Sequence, residues 1–396
     1  MSKSVCVTGM GCLCAAGDTL DEAVTSMMAG ERHAGDPPLF KSSHPHVFPV
    51  FAVCSLVPKT AEDVFLRTSQ LALNAAKQAV EQSQWDLGEL RMLKVGVCVG
   101  TTVGCTMDVE SFYGDYRNGD DPEMLAIDSF RHSNPASVIS RHFGLNGPCQ
   151  TIVNACSSGT DAIGMGAMWI ENGLCDVVLA GGADELCRTT YNGFASLQIN
   201  ASVLSRPFSA DRCGLNLGEG AAVLVLESDE VRQKRQHVVA QGYVLGYGSG
   251  TDGWHLTAPH PEGRGLKQAL QEAFDCSGVT PDQLAFVNTH GTGTKDNDRV
   301  ESLVLAEVLP TTPFHSTKGY TGHTLGAAGA LEAAFCLAFL RQRQIPASAG
   351  FTGQDPEFSV TPVVKNSAVT GDVALSESLA FGGNNAVLIL GRGEVA

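Results

Sequence analysis

A cysteine and two histidines stand where this chain could do chemistry. Cys156 lies in TIVNACSSGTDA (Thr151–Ala162), between an apolar run that reads as a strand and a small-residue run that reads as a buried helix. A thiol at such a junction faces the start of a helix, where the dipole and free N–H groups favour thiolate. The alternative is a small buried hydrophobe, as Cys6, Cys98, Cys175 and Cys336 read within their apolar runs. His290 lies in NTHGTGTKDNDRVE (Asn288–Glu301), after an apolar strand and before glycines that let backbone approach a ligand. Thr292 and Thr294 put hydroxyls on that rim, and the stretch lacks the GK[ST] of a P-loop. His323 lies in STKGYTGHTLGAAG (Ser316–Gly329), just before a helix of very small residues, with Lys318 upstream. A capping turn with a packed histidine, and a solvated lysine, are the plainer readings of these stretches.

A thiol with two imidazoles on glycine-rich turns suits acyl transfer. The thiolate accepts an acyl group, and neutral imidazoles donate hydrogen bonds to a thioester oxygen as charge develops on it. The histidines lack the spacing of a metal pair on one helix, and Cys156 is far from both in sequence, so nothing supports a zinc site.

The elements that would position these residues alternate. Strand-like runs cover Ser4–Val7, Lys94–Gly100, Asp176–Ala183, Ala221–Glu227, Val238–Tyr247, Leu284–Asn288 and Ala386–Leu390. Helical periodicity covers Thr68–Gln82, Gly265–Phe274, Asp298–Val308 and Gly329–Arg341, and Asp18 or Thr19 caps a helix that stops at Gly30. Continuously apolar strands suit a sheet covered on both faces, so an α/β architecture with mostly parallel strands is expected. SVCVTGMG near the start and LAFVNTHGTG later are each a strand followed by a glycine-rich turn, a faint internal echo. The proline-rich segment from Glu31 to Lys59 reads as a surface excursion.

Composition limits the function. A length of 396 residues suits two domains or a duplicated fold. A net charge of −16 argues against a general nucleic-acid binder. Thirteen cysteines without CxxC pairs fit a reducing, cytoplasmic setting. The N-terminal run, broken by Thr8, Gly9 and Gly11, reads as a first strand rather than a signal peptide, and no membrane-spanning run is expected.

In this order, NACSSG, HGTGT and KGYTGHTLGAAG resemble the β-ketoacyl-acyl-carrier-protein synthases, elongating condensing enzymes of the thiolase-like superfamily. VTGMG (Val7–Gly11), RTSQLAL (Arg67–Leu73), GGADE (Gly181–Glu185), SRPF with DRCGLNLGEGAAVLVLE (Ser205–Glu227) and LAFGGNNAVLIL (Leu379–Leu390) extend the likeness along nearly the whole chain.

The resemblance implies a thiolase-like α/β fold, duplicated and layered α-β-α-β-α. Residues 1–235 would carry the cysteine and residues 236–396 both histidines. It implies an acyltransferase performing decarboxylative Claisen condensation of a malonyl thioester with a cysteine-bound acyl chain, in fatty-acid, polyene or polyketide elongation. Cys156 would be the nucleophile, its N–H and that of Phe381 the oxyanion hole, and His290 and His323 the groups that stabilise the enolate. Lys318 and Glu301 would pair and order the site, with Asp298 a further internal polar contact. Thr292 and Thr294 would hold the phosphopantetheine arm, Phe381 would gate the acyl pocket, and Thr106, Met107 and Val109 would line it. Asn288 and Glu332 would stand near a structural monovalent cation. No other metal and no free cofactor are implied, since substrates arrive on an acyl carrier protein. A homodimer, or a heterodimer with a chain-length factor, would be the assembly.

The chain departs from the family at three places. Lys295–Asn297 (KDN) replaces a proline-containing turn, Asn384 replaces a common threonine, and AEDVFL (Ala61–Leu66) replaces a basic cluster. Arg67, Arg131 and Arg206 are then the basic candidates for carrier docking, and a carrier with a less acidic docking helix is one partner they would suit. A non-catalytic chain-length factor would lack the cysteine, an initiating synthase or thiolase would lack the second histidine motif, and a cysteine hydrolase would need no malonyl group.

Overall fold

The computed structural model describes residues 5–42, 44–56, 66–235 and 237–393. Ala61–Phe65 of the AEDVFL segment fall outside the described residues.

Ten strands form one sheet. They are β1 Val5–Cys14, β2 Val95–Gly100, β3 Cys149–Ile152, β4 Val177–Asp184, β5 Gly220–Glu227, β6 Gly242–Thr251, β7 Leu284–Asn288, β8 Phe314–His315, β9 Val373–Leu379 and β10 Asn384–Gly391. Their spatial order is β3-β2-β4-β5-β1-β6-β10-β9-β7-β8. Read outward from the central β1–β6 pair, each group of five runs first, fifth, fourth, second, third. The pairing directions repeat as well: β1–β5 and β4–β5 are antiparallel and β2–β4 and β2–β3 parallel, and so are β6–β10, β9–β10, β7–β9 and β7–β8 in turn. The echo between SVCVTGMG and LAFVNTHGTG thus has a topological counterpart, although it joins the first strand of one group to the second of the other.

The expectation of a mostly parallel sheet is corrected. β1–β6 and the four antiparallel pairs above outnumber the parallel ones. Apolar runs report burial on both faces, which the flanking helices give to either strand direction. The expected Val238–Tyr247 strand is shifted to Gly242–Thr251, because the turn Val238 N–H to Arg235 C=O (3.0 Å) precedes it. The glycine-rich end of β6 stays in the sheet for a packing reason: a Cβ at Gly248 would lie 2.1 Å from the carbonyl oxygen of Ala269 on the overlying helix.

The helices that matter here are α1 Leu20–Ala29, α2 Arg67–Gln82, α3 Glu110–Asn118, α4 Leu125–His132, α5 Ser158–Glu171, α6 Arg188–Ser196, α7 Arg264–Ser277, α8 Lys295–Val308 and α9 Ala328–Gln342. Thr19 caps α1 in a capping box and Gly30 ends it in the left-handed region. α2 covers the first strand group from outside, and α7 covers the second. α5 and α9 pack on each other between the groups, touching strands of both, which gives the five α-β-α-β-α layers. The stretch Leu325–Gln342 is long and apolar enough to cross a membrane, but 89% of it is buried inside the molecule, as a central core helix must be.

Candidate active site

Cys156 sits on the single turn Ala155–Ser157 that leads from β3 into α5. Ala155 holds a positive φ of 49°, a strained position that turns the chain sharply and aims the thiol inward. The turn is tied down by Asp161 of α5, which accepts hydrogen bonds from Ser157 Oγ (2.8 Å), Asn154 Nδ2 (2.9 Å) and Tyr247 of β6 (2.8 Å).

His290 follows β7, as expected, and its loop is held by carboxylates from α8. Glu301 accepts from the N–H of His290 (2.6 Å) and of Gly291 (2.7 Å), and from Asn297 Nδ2 (2.6 Å). Asp298 accepts from the N–H of Phe208 (2.7 Å) and of Gly293 (3.1 Å). Gly291 has φ 39°, and a Cβ there would lie 2.5 Å from Ser316 Cβ, so no larger residue fits.

His323 arrives from the turn ahead of α9, and its Nε2 lies 3.0 Å from Cys156 Sγ. The His290 and His323 rings stand edge to face, with centroids 5.1 Å apart. Desolvation, followed by the Lys318 charge, holds both imidazoles well below the ordinary histidine value, so both are neutral; His323 further depresses His290.

The thiol corrects one expectation. Burial pushes Cys156 up to about 12, against the smaller opposing pull of Lys318 and of the backbone amides of Phe381 and Cys156 itself. Desolvation outweighs the helix dipole here, and the resting group is a neutral thiol. The backbone amides of Phe381 and Cys156 face the sulfur, whereas the resemblance sets them around the thioester oxygen.

The Lys318–Glu301 pair is also corrected. Lys318 is buried and pairs with Glu332 of α9. Glu301 is occupied by the His290 loop, and its other neighbour is Glu377 of β9; burial and the Glu377 charge push its carboxyl well up. The sign in the sequence was a single glutamate within the apolar helix GALEAAF, which an interior can hold only with a partner.

The three groups open into a cavity of about 640 Å³, whose lining includes Thr292, Thr294, Phe194 and Phe381. Thr292 and Thr294 share a hydroxyl hydrogen bond of 2.9 Å. Phe381 is stacked on Phe194 of α6 at 5.4 Å, and it leads into Gly382 and Gly383, both at positive φ. Phe194, Asp161 and Tyr247 were not singled out from the sequence. Val109 and Thr106 line a different cavity of about 340 Å³ beside α3, and Met107 lines neither.

Of the docking arginines, Arg67 is buried at the start of α2 and binds Glu219 through two nitrogens (2.8 and 2.6 Å), so it is structural. Arg206 pairs with Asp211, while Arg131 is exposed on α4. Among the described residues, these three arginines do not form a patch of unpaired cations.

Two groups of potential metal donors emerge. Cys156, His290 and His323 bring their ligand atoms within 4.8 Å of one another, although sequence spacing kept them apart. The Nδ1 atoms of both histidines are buried without a partner, unlike metal-bound imidazoles, whose second nitrogen is normally hydrogen-bonded. Elsewhere, buried polar atoms of Asn288 and Ser376 and one oxygen of Glu332, the partner of Lys318, have no hydrogen-bond partner. An oxygen-rich set of this kind fits a hard monovalent cation better than a soft metal.

Two family models match the chain: the N-terminal domain of beta-ketoacyl synthase over residues 56–232 and its C-terminal domain over residues 241–352. A 3-oxoacyl-[acyl-carrier-protein] synthase 2 of Synechocystis is 31% identical, covering 98% of this chain and 97% of its own length. The ketoacyl synthase alpha subunit of the tetracenomycin polyketide synthase of Streptomyces glaucescens is 32% identical, over 85% and 83%. Among solved structures, the ishigamide ketosynthase/chain length factor superposes with a TM-score of 0.92 at 30% identity, over 99% of this chain and 100% of its own. A beta-ketoacyl synthase of Burkholderia phymatum gives 0.89 at 28% identity, over 99% and 100%.

Proposed function

The chain belongs to the beta-ketoacyl synthase family, and from that premise we propose that it extends a Cys156-bound acyl chain by decarboxylative condensation with a malonyl thioester. The observation that carries this reading is the 3.0 Å contact between His323 and Cys156 on the floor of a buried cavity that His290 also lines. The enzyme is an acyltransferase of the condensing class.

The residues act in two half-reactions. In the first, the neutral thiol attacks the acyl thioester, and its proton passes to His323 Nε2 as the carbon–sulfur bond forms. The amides of Cys156 and Phe381 receive the oxyanion, and the carrier's thiol leaves with the proton. In the second, a malonyl thioester enters past Thr292 and Thr294. Its carbon–carboxylate bond breaks to CO₂, and the electron pair spreads onto the thioester oxygen. Neutral His290 donates a hydrogen bond to that enolate, and His323 does so once its ring proton has moved by solvent exchange from Nδ1 to Nε2. The enolate carbon attacks the Cys156 thioester, so the former acyl carbonyl becomes a ketone β to a carrier thioester that now lies two carbons further from the chain end, and the Cys156 thiolate recovers a proton from solvent. The enolate comes from a carbon–carbon bond, so no strong base is needed. Lys318 with Glu332, and Glu301 with Asp298, position these groups, and Phe381 with Phe194 forms the acyl wall.

Asn288 and Glu332, each with buried unpartnered polar atoms, would stand near a monovalent cation. Residues 1–235 and 236–396 are the two halves of the duplication. The substrates arrive on an acyl carrier protein, and thirteen unbridged cysteines support a reducing compartment such as the cytoplasm.

A second reading has the chain acting only beside a chain-length factor. It is favoured by β3, an edge strand with unpaired backbone followed by Val153 at 62% exposure, together with the ketosynthase/chain length factor likeness. Peptide mapping after incubation with acyl-carrier protein tests the proposal: the acyl mass should sit on Cys156 and vanish in Cys156→Ala. Loading without later extension would favour the second reading.

A further inference from the structure

Burial of Arg67 leaves open how a carrier protein engages this enzyme. The inference rests on the condensing reading above, which requires a tethered substrate to enter the cavity mouth.

Residues 252–263 join β6 to α7 and supply His255, Thr257 and Pro259 to that mouth. The loop is fixed by its backbone. The Asp252 carboxylate accepts from the N–H of His260 and of Gly265 (both 2.9 Å), Asp252 N–H donates to Gly383 C=O (2.8 Å), and Leu256 C=O accepts from Gly382 N–H (2.8 Å). Its outward side chains are large and apolar: Trp254 is 59% exposed and Leu256 79%. Leu197, at the end of α6 and also lining the cavity, is 47% exposed.

Charge offers little competition. The cavity-lining cations other than histidine are Arg212, paired with Asp355 at 2.5 Å, and Lys295, which is followed directly by Asp296. The loop itself carries Asp252 and Glu262, and the chain's net charge is −16. A rigid backbone presenting an exposed tryptophan and leucine beside a substrate entrance has the makings of a binding hot spot, because little ordering remains to be done on contact.

We propose that the carrier protein docks on the 252–263 loop by apolar contact with Trp254 and Leu256, and not through a basic patch. The carrier is the occupant because the cavity mouth lies on this loop and its arm must pass there to reach Cys156. The docking face that fits is an apolar helix surface of low negative charge.

The test is steady-state condensation by Trp254→Ala and Leu256→Ser with two substrate sets: acyl- and malonyl-carrier proteins, and the matching N-acetylcysteamine thioesters. With carrier-bound substrates, kcat/KM should fall about tenfold or more, chiefly through KM. With the small thioesters it should not change. Raising salt from about 0.05 to 0.3 M should alter wild-type KM less than about twofold, since exposed charge attraction would be screened over that range. Arg131→Glu, on exposed α4, should be near neutral. Three results would overturn the proposal: unchanged kinetics on carrier substrates, a steep salt dependence with a large Arg131→Glu effect, or a change of oligomeric state in the Trp254 variant, which would make this face an interface between copies. Wild-type failure on both substrate sets would refute the condensing reading itself; activity on small thioesters with unaltered carrier kinetics in the variants would refute docking alone.

Discussion

The protonation state of Cys156 gives the sharpest check on the chemistry. Burial lifts its thiol from the ordinary 9.0 to about 12. Three units leave about a thousandfold less thiolate near neutrality than a free thiol has, a difference of about 4 kcal/mol. Alkylation by iodoacetamide, followed by peptide mapping from pH 6 to 10, reads this directly. Exposed Cys213 lines the same cavity and serves as the internal reference. Cys156 should label about a thousandfold more slowly than a free thiol at pH 7, with a rate that climbs about tenfold per pH unit and does not level off through pH 9. Acyl transfer should escape this handicap because His323 takes the proton within the step. His323→Ala should therefore cut acyl loading by about a hundredfold or more while leaving the alkylation rate at pH 10 little changed. A labelling plateau below pH 8 would mean a preformed thiolate–imidazolium pair and would refute the reasoning.

Three further outcomes follow from the geometry. Lys318→Ala removes the buried partner of Glu332, whose carboxyl burial already holds at about 7, and should cost about 3–5 kcal/mol in urea denaturation, whereas Lys318→Met with Glu332→Leu should recover most of it; equal losses in both would show the ion pair is not the cause. His315, packed between Phe286 and Phe339 with both ring nitrogens unpartnered, is lowered from 6.5 to about 3 by burial. The unfolded chain then binds the extra proton between those values, so this stability component is lost as pH falls below about 6.5; His315→Phe should be less acid-sensitive by about 2–3 kcal/mol at pH 4.5, and parallel pH profiles would contradict it. Gly291→Ala should displace His290 and lower decarboxylation of malonyl substrates more than tenfold, since φ 39° and the Ser316 contact leave no room for a methyl group; near-normal turnover would show that the loop yields.

The sequence made the candidate trio legible because Cys156 and His290 each follow an apolar run and His323 precedes a helix of small residues, all on small-residue turns, a local arrangement the fold keeps. It carried the helices α2, α7, α8 and α9 to within a few residues, because their apolar periodicity is continuous. What it did not carry depends on distance through space. Lys318 meets Glu332 only because α9 lies against the turn before it, so a partner assigned by motif fell on Glu301 instead. Arg67 opens a helix at an apparently surface motif, yet Glu219 draws it inside. Strand direction was hidden because β5 and β10, antiparallel to both their neighbours, are as apolar as the strands that pair in parallel. The thiol's protonation was misjudged for the same reason: the helix dipole is a local feature, whereas burial is set by elements from both halves.

The most direct test of the central claim is intact mass spectrometry of the carrier protein after the enzyme is mixed with malonyl-carrier protein and a panel of acyl-carrier proteins. The account predicts a carrier-bound product two carbons longer with a new ketone, loss of CO₂ in equal amount, and neither in Cys156→Ala. Acyl release to water, or extension that survives in Cys156→Ala, would contradict it.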